Sequence, residues 1–304
     1  MGIMQPDEFP ISKPQLSDVI SVTDGSSPLM LSFPHSGDVY PRDFGYAPKL
    51  TYAEIDHPSD KYVDELFGAA AALELGTIKA EFPRAYVDVN RHQHDIDAEM
   101  LDEPDAWPGR FLPSGSVKVG ATLFWSKAYG TPIYDRKLTV KEAHHRLSCY
   151  FIPYHQTMTR MVEELRSRHG EVYIVDCHSM TRFDHKLRGG KERPEIDIGT
   201  RNGASCAPDL AEKMAELFAA RGYDVGMNKR FIGGEITLRY GWPEIGQHIL
   251  QVELRRDLYM DEATRAKTDN FQKVQADCAW VLEQFKAYTE NCTTVAQPTP
   301  VAAP

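Results

Sequence analysis

The sequence predicts an α/β fold: a single domain built on one open, mostly parallel mixed sheet flanked by helices. Three observations lead there. Short apolar runs alternate with helical patterns too long to be hairpin loops, so consecutive strands need crossovers and run parallel. The 304 residues suffice for one large core. No internal repeat or linker divides the middle of the chain. Residues 1–25 read as an N-terminal extension and 26–289 as the domain. Residues 290–304, rich in Pro, Thr and Ala, read as a disordered tail.

The elements follow in order. LMLSF (29–33) is a short strand running into Pro34-His35-Ser36-Gly37. HPSDKYVDELFGAAAALEL (57–75) then predicts a helix, with Ser59 as cap and Val63, Leu66, Phe67 and Ala70 on one face. AYVDV (85–89) reads as a strand ending on Asn90-Arg91. A long helical pattern covers 139–168 and leads into VYIVD (172–176), a strand that stops at Asp176-Cys177-His178. A helix over 207–220, a strand HILQVEL (248–254) carrying Glu253, and a last helix over 261–289 complete the series. In such sheets, sites form beyond the carboxyl ends of the strands. His35, Asn90-Arg91 and His178 each follow a predicted strand end, so they can share one edge.

Composition narrows the function. Apolar residues make up 42% and charged residues 26%, the balance of a soluble globular protein. A net charge of −10 argues against nucleic-acid and anionic-membrane partners. It leaves room for a small anionic substrate, because a few local arginines outweigh the global sign. No apolar stretch approaches the roughly 20 residues of a transmembrane helix. The N-terminus has neither the basic start nor the apolar core of a secretory signal. Five dispersed cysteines without a C-x-x-C pair fit reduced thiols, so a cytoplasmic location is expected.

The strand ends carry metal chemistry. A hydrolytic zinc takes three His or carboxylate ligands and keeps one position for water. His35 and His178 are the nitrogen donors. The third place falls to Asp38, which would chelate locally as H-x-x-D, or to Asp60 at the following helix start, where its charge suits the dipole. Glu253 interrupts an apolar strand, and a buried carboxylate there needs compensation: a bound water to act on, or a salt bridge to Arg255 or Arg256. The first makes it the general base. Arg84 and Asn90-Arg91 flank the 85–89 run and offer a fork for a substrate carboxylate, with Arg201 a further candidate. KLRGGKERP (186–194) reads as a mobile loop that could cover a site. No G-x-S-x-G elbow, P-loop or G-x-G-x-x-G appears.

Taken together, several stretches resemble the N-formylglutamate amidohydrolase family. They are SFPHSGDVYP (32–41), SDKYVDELF (59–67), RAYVDVNR (84–91), GTPIYDRKL (130–138), PYH (153–155), DCHSM (176–180), IGTRNGASCAPDL (198–210) and RFIGGEITLRYGWPEIGQHILQVELRRDLYMDE (230–262). No single piece is specific, but the ordered set is. The resemblance implies an open α/β fold like that of the zinc carboxypeptidases and a Zn2+-dependent amide hydrolase. The family's reaction is N-formyl-L-glutamate to formate and L-glutamate, in the last step of one histidine-degradation route. It implies His35, Asp60 and His178 as ligands, favouring Asp60 over Asp38, with Glu253 catalytic and Asn90-Arg91 in the D-x-N-R substrate motif. Two departures stand out. Val-Asp-Cys replaces Trp-Glu-Ala before His178, and Glu235 follows Gly233-Gly234 where the dedicated deformylases carry Tyr. A glutamate there is expected to weaken binding of a dianion, or to favour a substrate with an amine. The alternatives are a related zinc amidase acting on another N-acyl amino acid or peptide, and a non-catalytic metabolite-binding relative.

Overall fold

The computed structural model describes residues 14–183 and 190–296. The remainder of the N-terminal extension, part of the 186–194 loop and the end of the tail lie outside the described residues. Nine strands are β1 (Ile20–Thr23), β2 (Leu29–Phe33), β3 (Gly76–Ala80), β4 (Lys127–Ala128), β5 (Thr131–Pro132), β6 (Val172–Met180), β7 (Ile196–Gly199), β8 (Val225–Met227) and β9 (Gln247–Arg255), among the described residues. The α-helices are α1 (Tyr52–Asp56), α2 (Val63–Leu66), α3 (Val140–Arg146), α4 (Ile152–His169), α5 (Pro208–Ala220), α6 (Glu235–Tyr240) and α7 (Phe271–Ala296). Among the described residues the first element is a 3-10 turn at Leu16–Asp18, ahead of β1, and α7 runs to Ala296. No described helix is long and apolar enough to cross a membrane.

Seven strands form one mixed sheet in the order β1-β3-β2-β6-β9-β7-β8, with β4-β5 a separate ribbon. β2 and β9 both pair with β6 in parallel, β7 pairs with β9 antiparallel, and β8 with β7 in parallel. The chain divides into two compact units. One comprises 14–21, 34–59 and 79–157, the other 22–33, 60–78 and the described residues from 158 onward. The units interleave along the sequence, so no single linker marks their boundary.

Period-two alternation sorts the central strands of the second unit. Leu29, Leu31 and Phe33, Tyr173, Val175 and Cys177, Ile196 and Ile198, and Leu250, Val252 and Leu254 all join one buried cluster. Helices α2, α5 and α7 supply its other wall through residues such as Leu66, Met214, Phe218, Val274 and Phe285. The alternate positions, Ser32, Asp176, His178, Gln251 and Glu253, point to the opposite face and are buried too. That polar face positions the chemistry.

Four expectations need correction. The strand opening at Val172 does not stop at Asp176 but continues to Met180, because β9 pairs with it along its whole length. His178 is thus inside a strand. Residues 85–89 form no strand: all five are buried, so their apolar character fills the core without alternating across a pleat. The helix expected over 57–75 shrinks to α2 and a following 3-10 turn. Tyr62 breaks its start with a φ of 68°, and Ser59 bonds back to Asp56 O (2.7 Å) and Oδ1 (2.9 Å) without capping it. The last helix begins at Phe271, because Asp261 Oδ1 instead accepts the N–H groups of Ala263 (3.0 Å) and Thr264 (2.6 Å) in a turn.

The long helix over 139–168 holds as α3 and α4. Thr139 caps it, its hydroxyl accepting the Glu142 N–H at 3.1 Å. A π turn at Leu147–Phe151 joins the two parts. Pro153 explains it: lacking an N–H and needing room at the carbonyl four residues back, it is accommodated by a wider turn just before it.

Candidate active site

The sheet register assembles half of the site. Across β6 and β9, Asp176 stands opposite Gln251 and His178 opposite Glu253. On the far side of β6, Ser32 stands opposite Asp176 and donates its hydroxyl to Asp176 Oδ1 at 2.9 Å. The same carboxylate's Oδ2 takes His178 Nε2–H at 2.9 Å. His178 Nδ1 faces Asp60 Oδ2 at 2.9 Å. Burial lowers the pKa of this imidazole, but Asp176 and Asp60 outweigh it and hold it well above the usual histidine range. Two carboxylates aimed at one ring mark a place that favours positive charge. Cys177, on the apolar face, has its thiol pushed well up by burial and is no nucleophile.

Asp60 is fixed by its other oxygen. Ser179 Oγ–H (2.9 Å) and Arg256 Nη2–H (3.2 Å) both donate to Oδ1, and Arg256 Nε–H donates to Ser179 Oγ at 2.9 Å. Oδ2 is thereby presented to His178. The two arginines considered for Glu253 each meet an aspartate. Arg256 pairs with Asp60, and Arg255 with Asp257 at 2.7 Å. Glu253, 5% exposed, accepts from Gln251 Nε2 at 2.7 Å through Oε1.

His35 follows β2 by two residues and is 1% exposed. Its Nε2 meets Asp88 Oδ1 at 2.8 Å. Asp88 is a hub: Oδ1 also takes the Asn90 N–H at 2.9 Å, and Oδ2 takes Arg84 Nη2 (2.9 Å), Arg84 Nε (3.2 Å) and Trp125 Nε1 (3.1 Å). Arg91 Nε lies farther off, at 3.8 Å. Burial would raise the Asp88 carboxyl, yet Arg84, His35 and Arg91 prevail and hold it well below the usual range. Arg84 therefore has its fork committed to Asp88, whereas the Arg91 side chain is 30% exposed.

His35, Asp60 and His178 form a buried group in which one ligand-capable atom from each lies within 4.8 Å of the others. The donor set suits a metal. Two imidazoles and a carboxylate are the ligand types of a catalytic zinc, and each imidazole has its second nitrogen steered by a buried carboxylate, Asp88 or Asp176. Asp38 is exposed and outside this group. Arg201 sits at a φ of 52° and reaches Gly233 O with Nη1 at 3.4 Å. Glu235 opens α6 and accepts from Arg239 Nη2 at 2.9 Å and Nε at 3.2 Å.

Asp88, Asp176 and Gln251 had no role of their own in the sequence reading, and Arg256 entered it as a possible partner of Glu253. Two of them carry a usable signal. Asp88 and Asp176 are lone carboxylates inside apolar runs, the same mark that singles out Glu253. Arg256 and Gln251 carry none.

The chain is similar to known proteins. The family pattern described as N-formylglutamate amidohydrolase matches residues 27–260. An N-formylglutamate deformylase of Pseudomonas putida is 30% identical over 284 residues, covering 89% of this chain and 100% of its own length. One from Pseudomonas aeruginosa is 31% identical over 252 residues, covering 81% and 87%. The crystal structure of an N-formylglutamate amidohydrolase from Ralstonia eutropha superposes with a TM-score of 0.85 at 32% identity, over 90% of this chain and 99% of that one. A protein from Agrobacterium tumefaciens shares the fold at a TM-score of 0.60 and 20% identity, over 91% and 95%. The chain is a member of the N-formylglutamate amidohydrolase family, hydrolases that act on an amide.

Proposed function

We propose that this protein is a zinc-dependent amidohydrolase that converts N-formyl-L-glutamate and water to formate and L-glutamate. The observation that carries the reading is the buried His35–Asp60–His178 group, in a chain whose relatives are named for that substrate. A Zn2+ ion held by these three residues supplies Lewis acidity, polarising a carbonyl and making a water more acidic. Glu253 takes a proton from the attacking water as the C–O bond forms and then returns it to the amine nitrogen, after which the C–N bond breaks to release formate and L-glutamate. Its burial keeps solvent from competing for that proton. Asp88 and Asp176 hold the two imidazoles in one tautomer and orientation.

Arg91 and Asn90 grip a substrate carboxylate, with Arg84 and Arg201 secondary. Arg91 is the stronger candidate because its side chain is partly exposed and stands farther from Asp88, while Arg84 is engaged by Asp88. Arg91→Ala is expected to raise KM for N-formyl-L-glutamate about 30-fold, the loss of one charged hydrogen bond, and to change kcat little. An unchanged KM in steady-state assays would remove Arg91 from the substrate site.

Glu235 gave reason to expect a substrate bearing an amine. Its pairing with Arg239 four residues on balances that charge and supports the dianionic substrate instead. A panel of N-formyl-L-glutamate, N-formyl-L-glutamine and N-acetyl-L-glutamate, followed by amine release, decides. The highest kcat/KM is expected on the first, and a higher value on either of the others would reassign the substrate.

A further inference from the structure

Gln251 has no part in the chemistry above, yet it is 3% exposed and both ends of its amide are used. Oε1 accepts the backbone N–H of Gly234 at 3.1 Å, and Nε2 donates to Glu253 Oε1 at 2.7 Å. The amide cannot be the other way round, because a backbone N–H can only donate. The Gly234 N–H thus fixes which end of Gln251 faces the catalytic carboxylate.

The loop that supplies this N–H is itself pinned to the sheet. Asp197, opposite Glu253 on β7, accepts the N–H groups of Lys229 (3.1 Å), Arg230 (2.7 Å) and Phe231 (3.0 Å). Gly199, opposite Gln251, lets the next residues lie flat: a Cβ there would stand 2.7 Å from Phe231 O and 2.8 Å from Gly233 N. Gly233 takes a φ of 113°, and a Cβ there would meet Thr237 Oγ1 at 2.3 Å. Every contact sets the place of the Gly234 N–H.

We infer that Gln251 is a positioning residue for Glu253, a step that rests on the general-base reading above. By donating to Oε1, it makes that oxygen an acceptor in every protonation state. The proton taken from water is carried on Oε2 and delivered to the amine from there. The loop over Gly199 sets the position of Gln251, and Gln251 sets the position of the carboxylate.

Two substitutions test this in the metal-loaded enzyme. Gln251→Met keeps the volume and removes both hydrogen bonds. Gln251→Glu keeps an acceptor for the Gly234 N–H and replaces the permanent N–H donor to Glu253 by a carboxyl that donates only when protonated, and it is the variant to read if Gln251→Met does not fold. Both are expected to lower kcat for N-formyl-L-glutamate about 10–100-fold, the usual range for an outer partner of a reacting group, with KM, bound metal and Tm unchanged. An unaltered kcat overturns the inference. So does a joint fall of kcat, metal content and Tm, which would mean a merely structural role. Glu253→Gln measured alongside separates the two claims. If it turns over normally, the general-base reading fails and this one with it. If it is dead while the Gln251 variants are fully active, only the present inference fails.

Discussion

Glu253→Gln is expected to lower kcat by about 10²–10⁴-fold while leaving zinc content and Tm unchanged. The substitution is close to isosteric, and the side-chain oxygen that accepts from Gln251 Nε2 survives it. What it removes is a basic oxygen able to take a proton from water and release it to the leaving amine. No other acid or base has to be lost for this to happen, since Asp60, Asp88 and Asp176 are all occupied with imidazoles. Steady-state kinetics with elemental analysis of the same sample checks it. Turnover within about tenfold of the unaltered enzyme, less than general acid–base catalysis normally contributes, would assign the proton transfer elsewhere.

His178→Ala is the second large effect, and it reaches stability as well as activity. The imidazole lies between two carboxylates, Asp60 and Asp176, that are 1% and 0% exposed. Its removal takes away a proposed metal ligand and the ring that both carboxylates face. Asp60 keeps Arg256 and Ser179, whereas the contact remaining to Asp176 on this face is the Ser32 hydroxyl. Breaking a buried pair of this kind costs about 3–5 kcal/mol, because one charge is left without compensation. Urea unfolding should show a loss of that size, together with zinc content near zero. Asp176→Asn combined with His178→Ala should recover part of the stability, since it removes the stranded charge. A single variant as stable as the unaltered protein would mean that the carboxylates are not paired as described.

The sheet's centre was legible because its strands obey local rules. VYIVD and HILQVEL are apolar runs of strand length, and each is interrupted by a polar residue whose burial needed explaining. What a sequence does not carry is register. That His178 stands opposite Glu253, and Asp176 opposite Gln251, is decided by how β6 pairs with β9, 75 positions apart in the chain. Asp60 reaches His178 from 118 residues away. The stretch 85–89 misled for a related reason. Its β-branched and aromatic residues suit a strand, yet all are buried in a segment whose Asp88 N–H bonds to the Leu123 carbonyl at 2.8 Å. Tertiary packing overrode local preference there. Arg256 was visible only as a possible partner of Glu253, because nothing local says that it turns to Asp60.

Zinc-dependent deformylation is decided by one paired measurement. Purified protein would be analysed for metal and assayed on N-formyl-L-glutamate before chelation, after chelation and after zinc is restored. The expected result is about one zinc per chain, with activity lost to the chelator and regained with the metal. Full deformylase activity in protein stripped of metal would contradict it.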